Sequence, residues 1–173
     1  RIEKQRIEGL NRESSYEEIL AFHKTDAEKA EGWRAIATPS ERYVIKTNSD
    51  NDKFLKEVIE RVEASRDLFE AEYPPEAPLT HVSVVRVFDK AEDFHNYGDT
   101  PGGVAGWFSP RTTELCLYDG VDTDRNMTYA VMTHEAFHQY CHFLFGQSEA
   151  HRWFDEGHGD YFGAFEFKRG KAI

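Results

Sequence analysis

Two histidines and a glutamate stand together in the segment His134-Glu135-Ala136-Phe137-His138. Side chains four residues apart share one face of a helix, about 6 Å apart at their stems, so both imidazoles can reach one metal ion. Zinc accepts neutral imidazole nitrogens at about 2.0–2.1 Å. Glu135 projects beside such an ion, where it can take a proton from water. The spacing therefore predicts a metal site suited to hydrolysis.

A third ligand is expected, because catalytic zinc sites usually have three from the protein. The best candidate is Glu156, with seventeen residues between it and His138, in a segment where acids alternate with aromatic residues. Asp160 follows four residues later and projects from the same helical face. It is well placed to accept the second ring N–H of a ligand histidine and so fix its tautomer. Each residue also has an alternative without a metal. Glu156 would then be an acidic residue near the N-terminus of a helix, where the helix dipole favours it, and Asp160 would be an ordinary surface carboxylate.

The surroundings of Glu135 carry almost no charge. Between residues 126 and 148 it is the only acidic or basic side chain apart from histidines, although 31% of the chain is charged. A helix of this composition must be largely buried. A lone buried carboxylate is costly unless a cation or a hydrogen-bond network meets it. A divalent ion between the flanking histidines would supply that charge. The alternative is a partly exposed helix face with scattered polar residues.

Hydrophobic periodicity and turn residues predict the elements that carry these groups. Strands are predicted over residues 43–47, 81–88, 104–108 and 114–118. Helices are predicted within residues 1–30, from a cap at Ser49-Asp50 to the prolines at 74 and 75, over 91–97, over 125–145, and from 153 or 154 to about 168. This order indicates an α+β fold, a small mixed sheet backed by helices. Residues 1–40 are interpreted as a helical lead-in or linker, and residues 41–173 as the domain.

The pattern resembles the gluzincin metallopeptidases, which include thermolysin and the aminopeptidase N family. The likeness rests on His134-Glu135-x-x-His138 followed by Trp-Phe-Asp-Glu156-Gly-x-x-Asp160-Tyr, and it covers about residues 43–167. It is closer to the peptidase MA-like domains of uncharacterised bacterial proteins. In those domains a strand with Ala-Gly-Phe/Trp precedes the motif helix, and a Trp-x-x-Glu-Gly helix follows it. The resemblance implies a zincin-like fold.

The same resemblance implies roles for individual residues. His134, His138 and Glu156 would bind one Zn²⁺ per chain, Glu135 would be the general base, and Asp160 would be the partner of His134.

Further roles are implied around this group. The strand with Ala105, Gly106 and Trp107 would pair with an extended peptide substrate. His158 and Tyr161 are candidate proton or oxyanion donors, with a surface histidine and a packing tyrosine as the alternatives. Family enzymes also use a downstream Tyr or His on the oxyanion, so the domain is expected to be truncated after Ile173 or reduced.

Composition and charge restrict the partners. The formal net charge is -11, and no basic stripe offsets it, so nucleic acid is not expected as a ligand. No apolar run is long enough for a transmembrane helix. The two cysteines, Cys116 and Cys141, are expected to be buried thiols, with one disulfide between them as the alternative. An extracellular or cell-envelope location is favoured over a cytoplasmic one, since the chain begins with Arg1.

The expected function is zinc-dependent hydrolysis of peptide bonds. Two alternatives remain open. The first is a non-catalytic or vestigial zinc-binding domain that binds a protein partner through its edge strand. The second is a metal-free interaction module with an accidental motif. The sequence does not indicate the substrate or the oligomeric state.

Overall fold

The computed structural model describes residues 14–120, 124–146, 150–168 and 171–172. The helices are α1 (Tyr16–Ala27), α2 (Asp52–Glu72), α3 (Ala91–Gly98), α4 (Arg125–Phe145) and α5 (Arg152–Gly163). The strands are β1 (Arg34–Ala37), β2 (Tyr43–Thr47), β3 (Ser83–Phe88), β4 (Gly106–Ser109), β5 (Glu114–Tyr118), β6 (Phe167–Lys168) and β7 (Lys171–Ala172). The described chain is therefore α+β with a five-stranded mixed sheet, which confirms the predicted class.

Strands β1 to β5 form the main sheet in the order β1-β2-β3-β5-β4. The three central strands run parallel, with Ile45 opposite Val85 and Val85 opposite Leu115. Both outer strands are antiparallel to their neighbours, so β4 is an edge strand next to β5. Strands β6 and β7 form a separate hairpin. Because parallel strands need crossover connections, α2 joins β2 to β3 across one face of the sheet.

The main core lies between that face and helices α2, α4 and α5. Alternate residues of the central strands point into it, since side chains in a strand alternate between the two faces. These strand residues are Tyr43, Ile45, Val85, Val87, Leu115 and Leu117. An aromatic group in the same core joins the three helices: the ring centroids of Phe69 and Phe162 are 4.9 Å apart, as are those of Phe137 and Phe162. The core thereby holds α4 and α5 against each other.

The opposite face of the sheet carries buried charge. Lys46 and Arg86 are paired in register on β2 and β3, and each meets a carboxylate. The Arg86 Nη2 atom donates to Glu114 Oε1 at 2.8 Å, and the Lys46 Nζ atom donates to Asp26 Oδ2 at 2.7 Å. The α1 residue His23 is buried here too, and desolvation, with Lys46 nearby, lowers the pKa of its imidazole to about 4. Helix α1 therefore covers this face through charge as well as apolar contacts.

One carboxylate joins the beginnings of two core helices. Asp119, just after β5, accepts hydrogen bonds from the Ser49 hydroxyl and from the amide of Asn51 before α2. It also accepts one from the guanidinium of Arg125, the first residue of α4. Asp119 is buried, with 5% of its surface exposed. The two helices that frame the core are thus anchored to a single point at the end of β5.

The predicted boundaries of β2, β5 and α4 are confirmed at both ends. Several boundary predictions are wrong. Strand β3 begins at Ser83 instead of residue 81, and β4 spans Gly106–Ser109 instead of residues 104–108. Two helices differ as well. The cap of α2 is Asn51, whose side chain accepts the Phe54 N–H, because Ser49 is held by Asp119 instead. The last helix ends at Gly163 rather than near residue 168, because the chain then turns towards β6 and packs Phe165 against the core.

Other elements differ from expectation to a smaller extent. The sequence did not predict β1 or the hairpin of β6 and β7. Of the helix predicted within residues 1–30, α1 is seen, and residues 1–13 lie outside the described part. Among the described helices, none combines the length and apolarity needed to cross a bilayer. Both cysteines are buried and free, which agrees with the expected thiols.

Candidate metal centre

Helix α4 carries two of the three predicted ligands and is fixed to the sheet from its middle. Asp124 caps its first turn by accepting the Asn126 N–H at 2.9 Å. Gln139 is buried, and its amide donates to the main-chain oxygens of Val84 at 3.0 Å and Thr113 at 2.9 Å. These bonds set the rotation of the helix, since buried polar groups must be satisfied. The neighbouring residue His138 is thereby turned towards α5.

The three predicted ligands converge in the structure. The Nε2 atoms of His134 and His138 lie 2.9 Å apart. The Oε2 atom of Glu156 lies 3.6 Å from the first and 3.9 Å from the second. Among the described residues, these three side chains form a group of possible ligand atoms within 4.8 Å of one another. Helices α4 and α5 therefore bring together the residues that the sequence paired.

Each imidazole has a carboxylate at its other nitrogen. Asp160 Oδ1 lies 3.1 Å from His134 Nδ1, which is the partner that the sequence predicted. Asp155 Oδ1 lies 2.9 Å from His138 Nδ1. The second contact falls outside hydrogen-bond geometry, and both of its atoms are buried without another partner. When each Nδ1 carries the ring proton, these carboxylates stabilise it, and both Nε2 lone pairs then face the shared point.

This arrangement leaves two acceptor atoms close to each other. With both Nε2 atoms unprotonated, their lone pairs 2.9 Å apart repel each other and Glu156 adds a negative charge, whereas a proton on one Nε2 makes the same contact a hydrogen bond. A cation relieves that repulsion. In a tetrahedral zinc site with bonds of about 2.0–2.1 Å, ligand atoms are roughly 3.3 Å apart. The three observed separations lie on either side of that value, so the residues present fit a zinc ion.

Gly159 lets α5 approach the first ligand. A Cβ atom at this position would lie 2.9 Å from Cε1 and Nδ1 of His134 and 3.0 Å from Nε2. Such distances are shorter than any normal carbon contact, so a larger residue would displace the ring. Gly157, one half-turn earlier, faces open space. The glycine at 159 is therefore a requirement of the site, whereas the one at 157 is not.

Glu135 lies between the ligand group and the edge strand. Its Oε2 atom accepts the main-chain N–H of Phe108 in β4 at 2.9 Å. Burial raises the pKa of its carboxyl above the usual range, against the opposing effects of His138, the Phe108 N–H and His134. A raised pKa brings the group closer to neutral pH, where proton acceptance and return are both efficient. Its position and its pKa suit a general base.

A cleft of about 600 Å³ opens over this group. The β4 side contributes Phe108 and Pro110, and the helices contribute the catalytic and ligand candidates Glu135, His138 and Glu156. Cys141 also lines it, but burial and the nearby charge of Asp155 raise the pKa of its thiol. A protonated thiol is a poor nucleophile and a poor ligand. The chemistry of the cleft therefore centres on the imidazoles and carboxylates.

The other predicted site residues lie around or outside the cleft. His158 hydrogen-bonds to the Phe154 oxygen through Nδ1 at 2.7 Å, and its ring packs against Phe154 and Tyr73. Tyr161 is 56% exposed and packs its ring against Phe165. The structure thus places both among aromatic residues, and their roles as donors stay predictions.

The predicted substrate strand begins two residues later than expected, at Gly106 instead of residue 104. Ala105 precedes β4, and Gly106 begins it. The ring of Trp107 stacks on Tyr97 of α3, away from the ligands. Only the main chain of this residue belongs to the exposed edge.

The sequence reasoning missed three contributors to the site, namely Asp155, Gly159 and Gln139. The position of Asp155 immediately before Glu156 was the available signal, because it puts a second acid beside α4. The glycine pair around His158 was another, since small residues mark close helix contacts. The polar Gln139 in an apolar helix gave no indication of its two partners on the sheet.

Neither the known family models nor the curated proteins include a match to this chain. The likeness to gluzincins therefore rests on the motif residues of the sequence and stays a prediction.

Proposed function

We propose that this chain is a zinc-dependent hydrolase of peptide bonds. One observation carries the proposal: His134, His138 and Glu156 converge on a point beside Glu135, at the floor of a cleft bordered by an edge strand. Zinc, when bound, supplies a Lewis acid that polarises a carbonyl and makes water a better nucleophile at neutral pH. The remaining steps belong to the protein.

Glu135 serves as the general base and then as the acid. Its carboxylate takes the proton of the attacking water and returns it to the leaving amine, so the proton count balances within one turnover. The Phe108 N–H holds Oε2 in place and leaves Oε1 for the proton. Water attacks the carbonyl directly, and no acyl-enzyme forms. The thiol of Cys141, with its raised pKa, offers no competing nucleophile.

The edge strand supplies the substrate groove. Strand β4 pairs with β5 on one side only, so the main-chain groups of its other side are available to a peptide, apart from the Phe108 N–H that Glu135 accepts. An extended peptide can add to such an edge, and the hydrogen bonds hold its backbone straight. A carbonyl of that peptide would then lie over the ligand group. This geometry favours peptides over compact substrates.

The test compares the wild type with Glu135→Gln on a fluorogenic peptide library, after zinc loading and metal analysis. We expect one zinc per chain in both proteins and a fall in kcat by at least roughly 100-fold in the variant, because the amide cannot accept the proton. Glu60→Gln, the same change at an exposed position of α2, is the matched control and should leave kcat unchanged.

Two results would count against the proposal. If the Glu135→Gln protein cleaves peptides with the kcat of the wild type, Glu135 is not the general base and the mechanism is wrong. Stoichiometric zinc without cleavage of any peptide would instead favour a zinc-binding domain that holds a protein partner along β4.

A further inference from the structure

A single cation lies at the rim of the cleft. Among the described lining residues, Arg152 is the only Lys or Arg, and it is the first residue of α5. It precedes Glu156 by four residues, so the two side chains share one face of the helix about 6 Å apart at their stems. Arg152 therefore projects beside the ligand group.

The described residues give Arg152 no structural task. In the described parts of the chain, its guanidinium forms no ion pair and no hydrogen bond. A cation in the first turn of a helix also opposes the macrodipole, which favours negative charge there. The side chain thus weakens rather than stabilises its own helix. Among the described residues no acceptor meets its five N–H donors, and the side chain is exposed at the opening of the cleft.

The charge around Arg152 makes its position informative. Glu135, Asp155 and Glu156 also line the cleft, and the whole chain carries a formal net charge of -11. This field repels acidic ligands. A fixed cation at the rim offsets this repulsion for a peptide that carries a carboxylate. A guanidinium matches a carboxylate through two parallel hydrogen bonds, which a lysine cannot provide.

We propose that Arg152 binds a carboxylate of the substrate next to the scissile bond and so selects acidic peptides. This inference rests on the proposed function and adds the substrate class. Two sources share the chemistry: the side chain of an internal Asp or Glu, and the carboxylate of a free C-terminus. Arg152 acts on binding and touches no reacting atom, so its effect belongs in KM.

The experiment uses the zinc-loaded chain and peptides that differ at the residues flanking the cleaved bond. One set is blocked at both ends and carries Glu, Gln or Lys, and a second set is neutral with a free or an amidated C-terminus. The variants are Arg152→Glu and Lys53→Glu. Both change the net charge equally, but Lys53 is an exposed residue of α2 outside the cleft. Peptide binding to the Glu135→Gln protein, measured by fluorescence anisotropy, gives a readout independent of turnover.

We expect the wild type to prefer a carboxylate over its neutral analogue by roughly 10-fold in kcat/KM and in binding, the size of one charge-assisted hydrogen-bonded contact at a partly exposed site. Arg152→Glu should abolish this preference and turn it towards Lys, mainly through KM, and Lys53→Glu should retain it. The peptide set whose carboxylate preference is lost in Arg152→Glu identifies the source of the carboxylate, either an internal side chain or a free C-terminus. Cleavage with a preference unchanged by Arg152→Glu would overturn the inference alone, whereas a wild type that cleaves no peptide would overturn the proposed function with it.

Discussion

Replacing Gly159 by alanine should separate metal binding from folding. The new methyl group would lie 2.9 Å from two atoms of the His134 ring. Carbon contacts are normally about 3.5 Å or longer, so the ring or the helix must move by roughly 0.5–1 Å. Metal–ligand distances tolerate only about 0.2 Å. The required displacement therefore exceeds the tolerance of the site several times.

The expected effect is a loss of zinc affinity of about 10–100-fold, the range seen when groups that orient a ligand are changed. Alanine is the better helix former by roughly 0.5–1 kcal/mol, so the metal-free protein should not lose much stability. Gly157→Ala is the matched control. It adds the same methyl group to the same helix and meets nothing within 4 Å. It should keep wild-type zinc affinity and gain stability.

The assay is a zinc competition titration against a chromophoric chelator, with thermal unfolding of both variants in EDTA. If Gly159→Ala binds zinc as tightly as Gly157→Ala, then His134 is not held by this helix contact, and the reasoning about the ligand group fails. If Gly159→Ala and Gly157→Ala lose the same zinc affinity, the loss comes from a change in helix α5 as a whole and not from displacement of the His134 imidazole.

Three further predictions concern other parts of the molecule. Because burial lowers the pKa of His23 to about 4, the unfolded chain takes the proton first, so stability should be complete above about pH 6.5 and fall by roughly 3 kcal/mol towards pH 4. Urea unfolding in EDTA should show this loss in the wild type and not in His23→Gln. Arg86→Leu removes the guanidinium from the buried carboxylate of Glu114, which keeps Tyr97 and the more distant Lys46, and should cost up to about 3–5 kcal/mol in the same measurement. Asp155→Ala should weaken zinc binding about 10–100-fold by removing the carboxylate beside His138 Nδ1, and Asp155→Asn, which retains an oxygen, should restore most of it in the chelator titration.

Each of these predictions has an outcome that would contradict it. A His23→Gln protein with the wild-type pH dependence would assign the titration to another group. A double Arg86→Leu/Glu114→Leu variant should recover part of the lost stability, and a further loss would show that the pair is not the source. Equal zinc affinity in Asp155→Ala and the wild type would mean that the contact with His138 has no orienting effect.

Local signals in the sequence predicted α4 well. Its apolar composition continues without a break, and residues typical of caps stand at both ends, so its limits at Arg125 and Phe145 were predictable. Once the helix is given, the proximity of His134 and His138 follows from its geometry alone. This part of the site needs no knowledge of tertiary contacts.

The remainder of the site depends on tertiary packing. The distance from Glu156 to the imidazoles is determined by the aromatic contacts between α4 and α5, which are not encoded by spacing. The short strand β1 was missed for a related reason. Its four residues, Arg34–Ala37, show no alternation between buried and exposed positions, so only pairing with β2 makes it a strand.

Helix α4 is attached at two points about 20 Å apart, at Asp119 through Arg125 and at the sheet through Gln139, the residue next to His138. With the first attachment alone, a tilt of one degree at Arg125 would move the His138 imidazole by roughly 0.3 Å, more than a zinc bond tolerates. The bonds of Gln139 to Val84 and Thr113 prevent that movement. Loss of those bonds would therefore displace a ligand although no ligand residue had been changed.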